Sequence, residues 1–373
     1  MQETTTLDEE RHGRSPTCSE RPSTDDIAAS VIVPCWNVAP WLDAALDSVL
    51  TAADRIAPRS VEIICADDGS TDGTSAILNA RSSSSTSPSE SPLIRVLHLP
   101  HKGVSATRNA ALSAARGKYI FFLDPDDIVH PDWLSTGMNA MDESDADWCV
   151  SPFRIREGDD AAFQLQPLKG DYRFDSTDAA IAGYVSRLIG YSFADLRRWF
   201  SGEELFATRE LGSVCRCVFR RDIIERHQVR FDETIGLWED AFFNCEYLLH
   251  AKRTTVVDRA LYDYTVRTSG ATKRLNASRS RVENKFGVQR LRKRLNEISG
   301  GRLAPLYAAS CVLAPIEIVA TFRQSGIGLA GALKAARKYL RDPEAAQALR
   351  ECPLSLRRPL FTAAVLFLRL IRP

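Results

Sequence analysis

The stretch YIFFLDPDD, Tyr119–Asp127, constrains the fold more than any other part of this chain. Its apolar and aromatic run, Tyr119–Leu123, suits a strand buried on both faces, as in the middle of a parallel sheet. Pro125 cannot donate to a sheet ladder, so the strand ends beside it, at the edge where open α/β sheets bind ligands. Asp124, Asp126 and Asp127 crowd that edge and repel one another. A divalent cation relieves the repulsion, and oxygen-only ligands favour Mg2+ or Mn2+ over zinc. A polar turn, with Asp127 or Asp132 capping the next helix, accounts for the same residues without a metal.

The preceding segments repeat a strand-then-helix pattern. Ser30–Val33 reads as a short strand ended by Pro34. Leu42, Leu46, Val49 and Leu50 follow at helical spacing, with Pro40 and Trp41 at the helix entry. Val61–Cys65 is a second strand, and Ser70 or Thr71 after the turn Asp67-Asp68-Gly69 suits the cap of a helix running to about Ala80. Arg81–Pro92 is low in complexity and reads as a surface loop. Leu93–Leu97 then resumes as strand, Val104–Ala115 as helix and Tyr119–Leu123 as strand. The alternation predicts an α/β fold with a doubly wound, mostly parallel sheet. PCWNVA stands where a dinucleotide-binding fold needs GxGxxG, which disfavours a dehydrogenase.

After Trp133 the pattern loosens. Tyr172–Trp199 reads as helical, Ser213–Phe219 as strand and Ile223–Arg226 as a short helix. Trp238–His250 is a helix opening on Glu239 and Asp240, and 276–296 is a basic helix. Residues 1–29 are polar and charged and read as a disordered tail without a signal peptide.

Lys plus Arg equals Asp plus Glu at 48 each, but from Arg267 onward there are 21 basic residues against 6 acidic ones. That asymmetry points to an anionic surface, lipid headgroups or nucleic acid, near the C-terminal part. The basic helix lacks interleaved aromatics, which discounts nucleic acid. Ala304–Phe322 approaches spanning length, yet Pro305, Pro315 and Glu317 argue against a lipid-exposed span. Pro359–Leu368, flanked by Arg357, Arg358, Arg369 and Arg372, suits a helix lying in a membrane interface; packing on a helical core is the other reading. The nine scattered cysteines, with no paired CxxC, fit a reducing cytoplasm, and Cys215-x-Cys217 alone makes a poor metal site.

Candidate chemistry gathers at strand ends. Asp67 and Asp68 follow the second strand and also make a good turn with Gly69 and Ser70. Glu239 and Asp240 open a helix, where the helix dipole favours acids with or without catalysis. Trp36 can stack on a nucleobase or simply pack. Arg108, within HKGVSATRN, can contact an anionic ligand or pair with the aspartates.

SVIVPCWN, VEIICADDGSTDGT and HKGVSATRNAALSAARGKYIFFLDPDD resemble, in order, the successive motifs of the family 2 inverting glycosyltransferases. LWEDAFF and YDYTVRTSGATK resemble that family's later acidic motif and the tyrosine-rich strand after it. The resemblance covers about 30–275 and implies a GT-A fold, a nucleotide-sugar donor and a divalent metal, Mg2+ or Mn2+. It assigns Pro34, Trp36, Asn37, Asp67, Asp68, Arg108 and Asp124 to the nucleotide-sugar, with Trp36 in the place of the more usual Tyr. It assigns Asp126 to the metal with Asp124 and Asp127 beside it, and makes Asp240 the general base with Glu239 as its acidic neighbour. Arg267 and Lys273 lie where some members contact the diphosphate.

On this reading 1–29 is the tail, 30–134 the nucleotide-sugar half, 135–275 the acceptor half, and 276–373 a basic helical extension close to the membrane. The implied reaction moves a sugar, from a UDP-sugar in the usual case, to a glycan or lipid-linked acceptor. That places the chain in cell-surface polysaccharide synthesis at the cytoplasmic face of the membrane, as a peripheral protein. A non-catalytic nucleotide-sugar-binding protein is the alternative. So is a nucleotidyltransferase, although PCWNVAPW lacks the Gly-rich phosphate loop that one would want.

Overall fold

In the computed structural model, residues 27–56, 60–84, 93–200, 210–267, 280–320, 328–352 and 359–371 are described. The first strand, β1 (Ile27–Cys35), begins at Ile27, inside the segment expected to be a disordered tail. It is inaccessible over most of its length because it has a parallel partner on each side: β2 (Ser60–Asp67) and β4 (Tyr119–Phe122). β3 (Leu93–His98) extends the sheet beyond β2 in the same sense. On the other side β9 (Cys217–Arg220) runs antiparallel to both β4 and β6 (Trp148–Val150). β10 (Thr254–Val256) completes the order β10-β6-β9-β4-β1-β2-β3. The seven-stranded sheet is therefore parallel except at β9. Amphipathic helices α1 (Ala39–Asp54), α2 (Thr74–Ser84), α3 (Val104–Ala114) and α4 (Trp133–Glu143) connect these strands.

Backbone approach at the start of β4 needs a glycine. A Cβ on Gly117 would lie 2.4 Å from the carbonyl carbon of Ala29. Its N–H instead donates to Ser30 Oγ at 2.8 Å, and that hydroxyl donates to the buried Glu62 at 2.7 Å. The same carboxylate accepts from Arg95 and Arg116, so a buried charge is matched rather than stranded.

Three local expectations change. α2 starts at Thr74, where Asp72 accepts from the Thr74 N–H at 2.9 Å, because Ser70 and Thr71 are engaged with Asp67 and Asn37. The helix expected over 172–199 is broken: a wide turn occupies Ile181–Val185, Gly190 takes φ +144°, and helix restarts at Phe193–Phe200. Ser213–Phe219 enters as a tight turn, Val214–Arg216, before it becomes β9. A second, four-stranded sheet lies outside the expected pattern: β5 (Ile128–Val129), β11 (Tyr262–Val266), β7 (Phe153–Glu157) and β8 (Gln164–Gln166).

The C-terminal helices Ser280–Ile298, Ala304–Ala320, Gly328–Tyr339, Pro343–Glu351 and Pro359–Ile371 enclose a small core of their own. Ala304–Ala320 sits inside it, with Cys311, Val312 and Ile318 buried, so the segment of near-spanning length is a core helix. No helix among the described residues is long and apolar enough to cross a membrane. The basic helix spends its charge on neighbours: Arg294 pairs with Glu246 at 2.5 Å, Lys293 with Glu344 at 2.8 Å, and Arg292 donates to Ile189 O at 2.7 Å. Arg369, expected to reach outward, turns back to the carbonyls of Leu349, Arg350 and Cys352. Arg357, Arg358 and Arg372 lie outside the described residues. Among the described residues, eight cysteines are buried free thiols, six in the large core and Cys311 and Cys352 in the small one.

Candidate active site

Strand register assembles the site. Cys35 pairs with Asp67 and Asp67 with His98, so the carboxyl ends of β1, β2 and β3 lie level. The chain after β1 turns at Asn37, whose φ of +53° is tolerated because its amide is held on both sides. Its N–H donates to Ser70 Oγ at 3.0 Å, and its Oδ1 accepts from the Thr71 N–H at 2.8 Å. This turn leaves Trp36 42% exposed beside Pro34, with its ring stacked on His101 at 4.5 Å and 15°. Neither partner of that stack is buried, which leaves a flat aromatic edge at the mouth of the sheet.

Asp67 and Asp68 serve this edge indirectly. Asp67 is buried, and its carboxylate accepts from the Ser70 N–H at 3.0 Å, from Ser75 and from His98. Burial opposes ionisation there, but these donors outweigh it and hold the carboxyl below the usual range. Asp68 accepts from the N–H groups of Lys102 and Gly103 at 2.7 and 2.8 Å and pairs with His101 at 2.8 Å. Together they lock the loop that carries His101 under Trp36.

The Asp124–Asp127 turn is fixed from β11. The Tyr262 hydroxyl accepts from the Asp124 N–H at 3.1 Å and donates to Asp127 Oδ2 at 2.8 Å. Asp127 Oδ1 accepts from the Thr265 N–H at 2.9 Å, and the side chain is inaccessible. Asp127 was expected near the metal, but this enclosure makes it a brace for the turn. Asp124 and Asp126 stay partly open. Burial and repulsion from Asp124 push Asp126 up to about 6, against the pull of Arg267. Arg267 donates to Asp126 Oδ2 at 3.2 Å and to its carbonyl at 2.8 Å, with its guanidinium 4.6 Å from the Trp41 ring centre. Lys273 lies outside the described residues.

Arg108 connects this turn to the helix Glu239–Leu248. It is 3% exposed, so it is not offered to a nucleotide as its sequence position suggested. It donates to Asp124 at 3.0 Å and to Asp240 at 2.6 Å, approaches Glu239 at 3.5 Å, and lies over the Phe231 ring. Burial works against its charge, but the acids outweigh burial and keep it protonated. Glu239 is pushed up to about 7 by burial and by Asp240, and Asp240 is raised by burial despite Arg108. Asp240 also accepts from the Val214 N–H at 3.4 Å.

Trp36, Asp124, Asp126, Arg108, Glu239 and Asp240 therefore share one carboxyl edge. Tyr262, Thr265, Val214 and His101 support them; the first two lie in the tyrosine-rich stretch YDYTV and His101 opens HKGVSATRN, so only Val214 stands outside the quoted motifs. Among the described residues no three His, Cys, Asp or Glu side chains form a ready metal cage. Asp124 and Asp126 nonetheless fit a hard cation completed by substrate phosphates, since both are partly open and oxygen-only, and burial with the charge of Asp124 disfavours ionised Asp126 despite Arg267.

The family model described as Glycosyl transferase family 2 matches residues 30–200. The chain carries a glycosyl transferase family 2 domain. Among curated relatives it is 28% identical over 238 residues to the uncharacterized glycosyltransferase EpsJ of Bacillus subtilis, covering 63% of this chain and 60% of EpsJ. It is 26% identical over 248 residues to the succinoglycan biosynthesis protein ExoO of Rhizobium meliloti, covering 66% of this chain and 63% of ExoO. Alignments to these two thus span less than two thirds of either relative. The solved structure of S. aureus TarS in complex with UDP-GlcNAc superposes with a TM-score of 0.59 at 18% identity, covering 92% of this chain and 90% of that one. At that identity the likeness is one of fold, and the fold is GT-A.

Proposed function

We propose that this chain is a metal-dependent, inverting glycosyltransferase that moves a sugar from a UDP-sugar to a hydroxyl of a glycan or lipid-linked acceptor. The observation that carries the reading is Arg108, which ties the Asp124–Asp126 turn to Asp240 within one hydrogen-bonded unit. Glycosyltransferase relatives, one of them a succinoglycan biosynthesis protein, and a TarS neighbour solved with UDP-GlcNAc support the activity and the donor class.

The nucleobase stacks at the Trp36–His101 edge, and the diphosphate lies toward Asp124 and Asp126. Asp126 and Asp124 would hold a divalent ion, whose charge would supply Lewis-acid neutralisation at the diphosphate. Asp240 takes the proton of the acceptor hydroxyl, which attacks the anomeric carbon opposite the leaving group and inverts it. A carboxylate raised by burial is a stronger base than a free one, and Arg108 keeps it ionised. Glu239 stands beside it as a second acid, raised by burial and by the charge of Asp240.

The product belongs to cell-surface polysaccharide synthesis at the inner membrane face. The exposed row Leu366, Phe367 and Leu370 on the last helix supports contact with lipid. Release of UDP from a panel of UDP-sugars, with Mn2+ and with EDTA, tests the reaction. Metal-dependent turnover is expected; no turnover of any nucleotide sugar would remove the reading.

A further inference from the structure

Two arginines reach the Asp124–Asp126 turn, and they are held in different ways. Arg108 is enclosed, and all three carboxylates that it pairs with belong to the site. Arg267, which follows directly on β11, has an anchor outside it. Its Nε donates to Asp126 Oδ2 at 3.2 Å, Nη2 donates to the Asp126 carbonyl at 2.8 Å, and Nη1 donates to Asp159 Oδ1 at 2.8 Å. Asp159 stands in the turn between β7 and β8, with its side chain 62% exposed. The same guanidinium lies 4.6 Å from the ring centre of Trp41, on α1. Of the three hydrogen bonds, the one to the Asp126 carboxylate is the longest. It can be given up while the carbonyl, Asp159 and the indole keep the guanidinium in place.

A cation that approaches Asp126 meets a positive charge already seated on its carboxylate. Two cations on one carboxylate repel, and water screens them poorly here because Arg267 and Asp126 are both largely buried. We infer that Arg267 is a yielding counter-ion: it covers the Asp126 carboxylate in the empty site, and Asp159 retains it when a divalent ion takes that carboxylate. The ion therefore binds weakly by itself and more tightly once a diphosphate adds negative charge, so nucleotide and cation load together. The inference rests on the metal-dependent reading of this site and adds its regulation, a loading order set by one ion pair.

Mn2+ binding to the full chain is measured by calorimetry, without nucleotide and with UDP, for wild type, Arg267→Gln, Asp159→Asn and Asp160→Asn. The buffer is held at about pH 8, well above the titration of Asp126. Arg267→Gln should bind Mn2+ alone about fivefold more tightly than the wild type, the scale of one partly exposed ion pair. The factor by which UDP tightens Mn2+ should shrink in the same variant. Asp159→Asn should move the other way, by about two- to fivefold, because Asp126 is then the carboxylate left to the guanidinium. Asp160→Asn removes an equal charge one position on and should stay within about twofold of the wild type. Melting temperatures show whether Arg267→Gln is folded; if it is not, Asp159→Asn against Asp160→Asn decides the matter. Mn2+ affinity in folded Arg267→Gln at or below that of the wild type overturns the counter-ion role, as does equal weakening in the two aspartate variants. A wild type that binds no Mn2+ even with UDP overturns the metal-dependent reading, and the counter-ion role with it.

Discussion

Arg108 and Asp240, 132 positions apart in the sequence, meet at 2.6 Å, the arginine enclosed and the acid partly open. The pair fixes Asp240, the proposed base, and the other arm of the same guanidinium fixes Asp124. Replacing Arg108 by Met should cost roughly 3–5 kcal/mol, because it leaves buried acids uncompensated. Arg108→Lys keeps the charge but cannot fork, so it should fold and turn over poorly. Arg108 lowers the pKa of both Asp240 and Glu239, so its loss should move the acid limb of the kcat/KM profile to higher pH. Denaturant melts and a pH profile of Arg108→Met check the two effects, and Arg108→Lys, which keeps the charge, should hold the acid limb near that of the wild type.

Asp240→Asn keeps the shape of the proposed base and removes the carboxylate that would take the proton. Turnover should fall by about 10²–10⁴-fold while calorimetric UDP affinity holds. Near-normal transfer would show that the proton goes elsewhere.

Asp126 is raised to about 6 from a carboxylate's ordinary value. A raised acid binds its proton more tightly folded than unfolded, so its charge costs stability above about pH 6, and the cost fades as the pH falls through that value. Asp126→Asn should therefore be more stable than the wild type at pH 7.5, by roughly 1–3 kcal/mol, and should lose that advantage progressively between about pH 6 and about pH 4. Mn2+ should raise the wild-type melting temperature and leave the variant's unchanged. Thermal melts at the two pH values, with and without Mn2+, read both effects.

Tyr262→Phe removes a single hydroxyl that serves both Asp124 and Asp127. The orphaned Asp127 oxygen should cost roughly 1–3 kcal/mol. Because the turn loosens, Mn2+-dependent UDP affinity should fall as well, by calorimetry.

Leu366, Phe367 and Leu370 face outward on the last helix, while Val365 and Leu368 pack inward. Leu370→Asp with Phe367→Glu should leave the melting temperature near that of the wild type and abolish co-flotation with anionic liposomes. Equal flotation of both proteins would remove lipid contact through this row.

The first half of the fold was legible because burial on both faces leaves runs such as Val61–Cys65 and Tyr119–Leu123 without polar interruption. Beyond Trp133 the strands are short, and the second sheet mixes exposed with buried positions. Strands such as Phe153–Glu157 and Gln164–Gln166 thus lack the periodicity that would reveal them. The acids of the site could be found because polar residues stood out after apolar strands. Their partners could not: Tyr262 reaches Asp124 across 138 positions, and nothing local in YDYTV specifies that contact. Arg369 misled for a related reason, since a cation beside an apolar run looks the same in sequence whether it meets phosphate or the carbonyl ends of a neighbouring helix.

The enclosed thiols give the molecule a timekeeper for its own opening. Burial pushes the Cys65 and Cys149 thiols up to about 12 and shuts out reagents, so alkylation waits on unfolding. Because Cys311 and Cys352 belong to the helical core and the other described cysteines to the sheet core, the labelled peptides separate two events. The order in which they gain mass tells whether the C-terminal helices peel away before the sheet gives, or both let go as one.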